Sequence, residues 1–105
     1  MSGISTHVLD TSRGLPASGV AVRLEHAEDS RWVSVGHGVT DSDGRVDDLL
    51  IGPPPQGRYR LTFETAARSS FYPEVEITFE VAGAEDHYHV PLLISPFGYS
   101  TYRGS

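Results

Sequence analysis

The sequence contains no cysteine and no lysine, and each absence removes a class of chemistry. Without cysteine there is no disulfide, no thiolate nucleophile and no sulfur-ligated zinc. Without lysine there is no Schiff base and no lysine clamp for phosphate groups, because all eight basic residues are arginines. The candidates for chemistry are therefore the five histidines, the arginines, the carboxylates and the hydroxyls.

Net positive charge and long apolar runs are also missing. A formal net charge of −6 argues against a nucleic-acid partner, because such partners are bound through phosphate neutralisation. No apolar run approaches the roughly 18 residues of a membrane span, so we predict no membrane association. The opening MSGISTHVLD has neither a basic nor an apolar signal region, and we expect a cytoplasmic protein. A chain of 105 residues with 38% hydrophobic residues predicts a single domain over residues 1–105.

Alternation of apolar and polar residues with a period of two predicts β-strands throughout the chain. In EVEITFEV, for example, Val75, Ile77, Phe79 and Val81 share one face. Turn signals such as RGLPASG, DSDG, GPPPQG and AGAED separate the alternating segments. We predict strands near residues 4–10, 19–26, 31–39, 45–50, 58–64, 74–82, 87–95 and 98–103. The fold class is then an all-β antiparallel sandwich of seven to eight strands, with a short or absent helix at 65–70.

Three predicted strands carry semi-polar faces that bulk solvent does not explain. In ISTHVLD, Ser5, His7 and Leu9 share the face opposite the core. In HYHVPLLIS, Tyr88, Val90, Leu92 and Ile94 form a core face, which leaves His87, His89, Pro91 and Leu93 on the other. In YSTYRGS, Ser100 and Tyr102 align. If these strands are neighbours, a cluster with His7, His89 and Tyr102 lies on an outer sheet face, which a partner subunit would cover.

Several simpler interpretations apply to the remaining polar residues. We expect His26, His37 and His87 to be ordinary exposed or satisfied histidines. His87 and His89 share a face, but no thiolate or inward carboxylate accompanies them, so we predict no metal and no cofactor. The segment DSDGRV is a hairpin turn rather than a calcium loop, because no glutamate follows at the required distance. No GxSxG serine signature is present.

The same residues carry a resemblance to a known family. The segments THVLDTSRGLPASGVAVRL, GVTDSDGRV, FYPEVEITFEV and HYHVPLLISPFGYSTYRGS resemble the transthyretin-related proteins, specifically the 5-hydroxyisourate hydrolases. The match runs from about residue 4 to 105. The family usually has a longer helix where TAARSSFY stands here, so this surface segment departs from the pattern.

The resemblance implies a transthyretin-like fold and a set of site residues. It implies His7, Arg45, His89 and Ser105 as catalytic residues, and Tyr102, Arg103 and Gly104 as residues that bind substrate. It also implies a homotetramer, a dimer of dimers with the site at the dimer–dimer interface. There Tyr102 would partly fill the channel and leave a shallow pocket for a small bicyclic ring.

The activity implied is hydrolytic ring opening of 5-hydroxyisourate to 2-oxo-4-hydroxy-4-carboxy-5-ureidoimidazoline in urate degradation. In this hypothesis a histidine deprotonates water, and His7 is favoured as base with His89 orienting water or protonating the leaving nitrogen. The sequence also allows the two histidines to exchange these roles. Arg45 would stabilise the oxyanion, and Ser105 would hold one histidine in its productive tautomer. Two alternatives stay open: a non-catalytic transthyretin-like carrier of a small aromatic ligand, and a plain interaction module.

Overall fold

The computed structural model describes residues 3–83 and 86–104. Within them the chain forms nine strands: β1 Gly3–Asp10, β2 Leu15–Pro16, β3 Ala21–Glu28, β4 Arg31–Val39, β5 Arg45–Ile51, β6 Gly57–Glu64, β7 Glu74–Val81, β8 His87–Ser95 and β9 Gly98–Thr101. The predicted all-β architecture is confirmed. In the described part of the chain, no helix is long and apolar enough to cross a membrane.

The strands form two sheets that pack face to face. The first sheet has the order β2-β1-β8-β9, with β5 also paired to β1, and the second has the order β4-β3-β6-β7. All pairs are antiparallel except β1 with β8, which run parallel. The predicted antiparallel sandwich is confirmed, and this parallel pair is a local exception that the sequence did not indicate. Because most of the chain separates β1 from β8, no tight turn between them requires the antiparallel direction.

The predicted strands differ from those of the structure in several places. The strand predicted to end at residue 26 continues to Glu28, because Asp29 and Ser30 both have positive φ (50° and 66°) and form a tight two-residue hairpin turn. The two residues of β2 were not predicted, since so short a segment shows no alternation. The last strand ends at Thr101 rather than at residue 103.

The core lies between the sheets and is built from the alternating apolar residues. The predicted inward faces are confirmed in four strands, where the following side chains are buried: Val22 and Leu24; Tyr59, Leu61 and Phe63; Val75, Ile77 and Val81; Tyr88, Val90, Leu92 and Ile94. Phe79, also predicted inward, is partly buried against this core. Packing of these faces leaves the opposite face of the first sheet free to carry the predicted polar cluster.

The segment between β6 and β7 contains no helix within the described residues. It forms one turn, in which the amides of Arg68 and Ser69 donate to the carbonyl of Thr65 at 2.9 and 3.0 Å. The Arg68 guanidinium donates to the Asp10 carboxylate (3.1 Å) and to the Ser18 carbonyl (2.9 Å). These bonds tie the shortened segment to the end of β1.

Candidate active site

The outer face of the first sheet brings together three of the predicted site residues. His7 of β1 is the direct register partner of Arg45 of β5. On the other side of β1, the parallel pairing with β8 places Ser5 opposite His89 and His7 opposite Pro91. The rings of His7 and His89 lie 6.4 Å apart, measured between centroids, and are tilted by 38°. Both histidines are half-buried, so they are open to a small molecule.

The turn at residues 41–44 determines where Arg45 lies. The Asp41 carboxylate accepts from the amides of Asp43 (2.9 Å) and Arg45 (3.0 Å). Gly44 has a φ of 76°, and a Cβ there would lie 2.4 Å from the Val8 carbonyl oxygen, so glycine permits the close approach to β1. The predicted turn with Gly44 at positive φ is confirmed, but it is not a hairpin, because β4 and β5 belong to different sheets. The turn carries the chain from the second sheet to the first and sets the Arg45 backbone against β1.

The electrostatics of this turn favour negative charge on Asp41. The hydrogen bond from the Arg45 amide lowers the pKa of Asp41, and the nearby positive charges of Arg45 and His7 add to that effect. Asp41 therefore stays ionised at neutral pH. The side chain of Arg45 is 44% exposed and lies 3.9 Å from the Asp47 carboxylate, Nη1 to Oδ1, so its charge is only loosely paired.

The pKa of His89 is shifted from its usual value, as is common for groups at functional sites. Burial lowers the pKa of His89 below its usual 6.5, and the positive charges of Arg45, His7 and His87 lower it further against an opposing contribution from Asp47. The ring is therefore neutral at pH 7. A neutral imidazole can act either as base or, through its other nitrogen, as hydrogen-bond donor.

Ser5 is a site residue that the sequence interpretation missed. Its hydroxyl oxygen lies 2.8 Å from Nε2 of His87 and 2.8 Å from Nδ1 of His89. The residue is only 3% exposed, because the two rings cover it. The sequence placed Ser5 and His7 on one face, but the parallel register that sets Ser5 against His89 has no local signal. His87, expected to be an ordinary exposed histidine, is exposed but contacts this hydroxyl.

The C-terminal residues take two different positions. Gly104 lies against His89: its amide donates to the His89 carbonyl at 2.7 Å, and a Cβ on it would lie 2.6 Å from Cδ2 of the ring. Arg103 instead stacks over the core ring of Tyr88 at 4.6 Å and lies 3.9 Å from the carboxylate of Asp86.

Tyr102 is 57% exposed and follows the last strand. It lines a cavity of about 240 Å³ with Arg103 and Tyr88. Ser105 lies outside the described residues. Of the predicted binding residues in the described part of the tail, therefore, Gly104 is the one that lies against a site histidine ring.

Neither geometry nor residue types favour a metal at this face. Within residues 3–83 and 86–104, no group of three or more histidine or acidic residues is arranged to hold a metal ion. The Ser5 hydroxyl occupies the space between His87 and His89, the pair considered for metal binding.

Comparison with known proteins identifies relatives along nearly the whole chain. Residues 4–104 match the model of the HIUase/Transthyretin family. The chain is 46% identical to 5-hydroxyisourate hydrolase of Deinococcus radiodurans, and the match covers 98% of this chain and 96% of that protein. The match to the Uric acid degradation bifunctional protein TTL of Arabidopsis thaliana has 46% identity and covers 97% of this chain, which spans only 37% of that longer protein.

Two solved structures show the same fold. Klebsiella pneumoniae 5-hydroxyisourate hydrolase superposes with a TM-score of 0.84 at 42% identity, covering 99% of this chain and 100% of that one. Sea bream transthyretin in complex with thyroxine superposes with a TM-score of 0.86 at 32% identity, covering 96% and 93%. The predicted transthyretin-like fold is thereby confirmed.

Proposed function

Because the chain belongs to the HIUase/Transthyretin family, we propose that it is a 5-hydroxyisourate hydrolase. It opens a ring amide bond of 5-hydroxyisourate with water, giving 2-oxo-4-hydroxy-4-carboxy-5-ureidoimidazoline in urate degradation. The observation that carries the proposal is the arrangement of His7, Arg45 and His89 on one sheet face, with the two rings 6.4 Å apart and the guanidinium opposite His7.

The reaction needs a base for water, an acid for the leaving nitrogen and a positive charge for the oxyanion. Two imidazoles on adjacent strands supply the base and the acid, with His7 as the favoured base. Arg45, the register partner of His7, supplies a permanent positive charge that can stabilise the oxyanion and orient a substrate carbonyl. The Asp47 carboxylate pairs only loosely with that side chain and leaves its charge available to a substrate. No resident cofactor enters this mechanism.

The C-terminal residues complete the proposed pocket. Gly104 lies against the His89 ring, and its lack of a side chain leaves the imidazole in place. Tyr102 and Arg103 are proposed to shape the pocket and bind substrate, and Ser105 to support one histidine. Since Arg103 stacks on Tyr88 in this protomer, its contribution requires the neighbouring subunit or a rotation of its side chain.

We further propose a homotetramer, a dimer of dimers, with the site where two dimers meet. Support comes from apolar side chains that the single chain leaves open. Phe71, Tyr72 and Tyr99 form an edge-to-face cluster with centroids 4.9 and 5.1 Å apart, yet Phe71 is 65% exposed and Tyr99 43%. Burial of such a cluster against a second copy favours dimerisation. Light scattering after gel filtration checks this proposal, and a monomer at micromolar concentration would contradict it.

A carrier of a small aromatic ligand is the second candidate, favoured by the similarity to sea bream transthyretin with thyroxine bound. A passive apolar channel does not need two imidazoles and an arginine at its surface. The two candidates differ in one property: the carrier binds its ligand without consuming it, whereas the hydrolase turns over.

The deciding experiment generates 5-hydroxyisourate in situ with uricase and follows its ultraviolet decay with and without this protein. The hydrolase accelerates decay at catalytic concentrations. His7→Asn and His89→Asn should each lower the rate on the order of 100-fold, because each removes a proton-transfer group. His37→Asn, an exposed histidine on the second sheet, is the matched control and should leave the rate unchanged. Decay unaffected by the folded wild type would reject the hydrolase in favour of the carrier.

A further inference from the structure

A chain of three polar side chains runs from solvent to the site. His87 is exposed, and its Nε2 lies 2.8 Å from the Ser5 hydroxyl oxygen. Ser5 is 3% exposed, and the same oxygen lies 2.8 Å from Nδ1 of His89. The His89 ring borders His7. A proton that enters at the surface therefore has a hydrogen-bonded route to the ring at the site.

The single proton of the Ser5 hydroxyl couples the two rings. A hydroxyl donates one hydrogen bond, so Ser5 donates to one imidazole and accepts from the other. When Ser5 donates to Nδ1 of His89, a neutral His89 carries its own proton on Nε2. When Ser5 accepts from that Nδ1, the Nε2 of His89 has a free lone pair. The direction of the hydroxyl thus decides whether Nε2 of His89 is an acid or a base.

The state of His87 selects that direction. An imidazole has three accessible states: the cation, the neutral form protonated at Nε2 and the neutral form protonated at Nδ1. In the first two states His87 donates from Nε2 to Ser5, and Ser5 must then donate to His89. Only the neutral form protonated at Nδ1, in which Nε2 of His87 accepts from Ser5, reverses the direction of both hydrogen bonds. The geometry therefore favours a proton on Nε2 of His89.

We propose that His87, Ser5 and His89 form a proton relay, which keeps Nε2 of His89 protonated and resupplies that proton from solvent. The inference rests on the proposed hydrolase function, because it assigns His89 as the general acid and leaves His7 as the general base. Ser5 and His87 are positioning residues in this scheme, since they act on the substrate only through His89.

The relay balances protons during ring opening. Water loses a proton to His7 while its oxygen bonds to the carbonyl carbon and the carbon–nitrogen bond breaks. The leaving nitrogen takes the Nε2 proton of His89. A neutral imidazole cannot lose that proton alone, so Nδ1 of His89 takes the Ser5 hydroxyl proton. Ser5 in turn takes the Nε2 proton of His87, whose exposed ring takes a proton from solvent at Nδ1. Exchange with solvent at the open rings restores the starting state after product leaves.

The first test measures the tautomer of His89 without using activity. Nitrogen-15 spectra of histidine-labelled protein distinguish a ring protonated at Nε2 from one protonated at Nδ1. Wild type should show His89 protonated at Nε2. Ser5→Ala removes the hydroxyl and should shift His89 to a mixture of the two forms, whereas Ser34→Ala, an exposed serine on β4, should leave the spectrum unchanged. An identical His89 tautomer in wild type and Ser5→Ala would overturn the relay.

The second test measures turnover. Ser5→Ala should lower kcat about tenfold with KM within about twofold of wild type, because binding groups stay in place and proton supply is lost. Ser5→Thr keeps a hydroxyl and should recover most of kcat. Circular dichroism and the melting temperature establish that the variants fold. A kcat of folded Ser5→Ala within about twofold of wild type would also overturn the relay.

Substitutions of His87, which is exposed, distinguish its effect on the His89 tautomer from its supply of protons to His89. His87→Gln keeps an N–H donor for Ser5 but cannot release a proton, so the His89 tautomer should persist while kcat falls severalfold. His87→Ala should be rescued by added imidazole, and Ser5→Ala should not be. A His87→Ala kcat equal to that of His37→Ala would contradict the relay.

If wild type itself does not accelerate decay, the hydrolase proposal fails, and the nitrogen spectra still decide whether Ser5 couples the rings.

Discussion

His7 and Arg45 are register partners in the antiparallel pairing of β1 with β5, so an imidazole and a guanidinium project from directly opposed positions. Such partners have Cβ atoms roughly 5 Å apart, a spacing that the backbone ladder holds. Burial lowers the pKa of His89 on the far side of β1, and the positive charge of Arg45 lowers it further. One arginine thus lies opposite one site histidine and acts electrostatically on the other.

Replacement of Arg45 should change both kcat and the pKa of His89. Arg45→Gln is expected to lower kcat about 100-fold, because the oxyanion loses its cation. The same change should raise the pKa of His89 towards its usual value, since one cause of its lowering disappears. Kinetics and nitrogen-15 titration check the two effects. Arg23→Gln, on the second sheet, should change neither quantity, and a normal rate in Arg45→Gln would remove this residue from the mechanism.

Turnover should fall when a side chain is added to the C-terminal tail next to His89. Gly104→Ala places a Cβ 2.6 Å from Cδ2 of that ring, so the imidazole must move and turnover should fall about tenfold or more. Gly98→Ala is the matched control, because its Cβ would meet its nearest neighbour at an ordinary 3.6 Å. Deleting residues 103–105, or appending a tag after Ser105, should likewise lower turnover without melting the strands. Full activity in these variants would exclude the tail from the site.

The ion pair between Asp10 and Arg68 should stabilise the fold and have no effect on catalysis. The Asp10 side chain is 5% exposed and the Arg68 side chain 19%. Arg68→Met removes the charged partner of a buried carboxylate that keeps its hydrogen bonds from the Ser12 hydroxyl and the Arg13 amide. The free energy of unfolding should therefore drop by about 1 kcal/mol while kcat is unchanged. Urea unfolding and the decay assay measure these quantities. Arg58→Met, whose ion pair with Glu80 is 61% exposed on both sides, should change stability little.

Protonation of His89 should also lower the stability of the fold as the pH falls. Its pKa in the folded protein is below the 6.5 of the unfolded chain, so below about pH 6.5 the unfolded state binds the proton first. This contribution to stability is complete above pH 6.5 and is lost as the pH falls towards the folded-state pKa. Urea midpoints at pH 7.5 and 5.5 should therefore differ less in His89→Gln than in wild type. Equal differences would contradict the lowered pKa.

Much of this protein follows from local sequence. Period-two alternation identifies most strands and their inward faces, because each residue's side in a strand depends only on its neighbours. The same rule placed His7, His89 and Ser5 on outward faces, and the motifs that contain them predicted the family. The catalytic roles, the part played by Ser105 and a cytoplasmic location stay predictions.

The tertiary structure decided which of these faces meet. Ser5 and His89 are 84 residues apart in sequence, and only the parallel register of β1 with β8 brings the hydroxyl to the ring. Arg45 meets His7 through a β5 pairing that shifts register between Ile4 and Thr6. Arg103 stacks on Tyr88 because its strand ended two residues earlier. Alternation is a local property, whereas partner and register depend on backbone hydrogen bonds and core packing between distant segments.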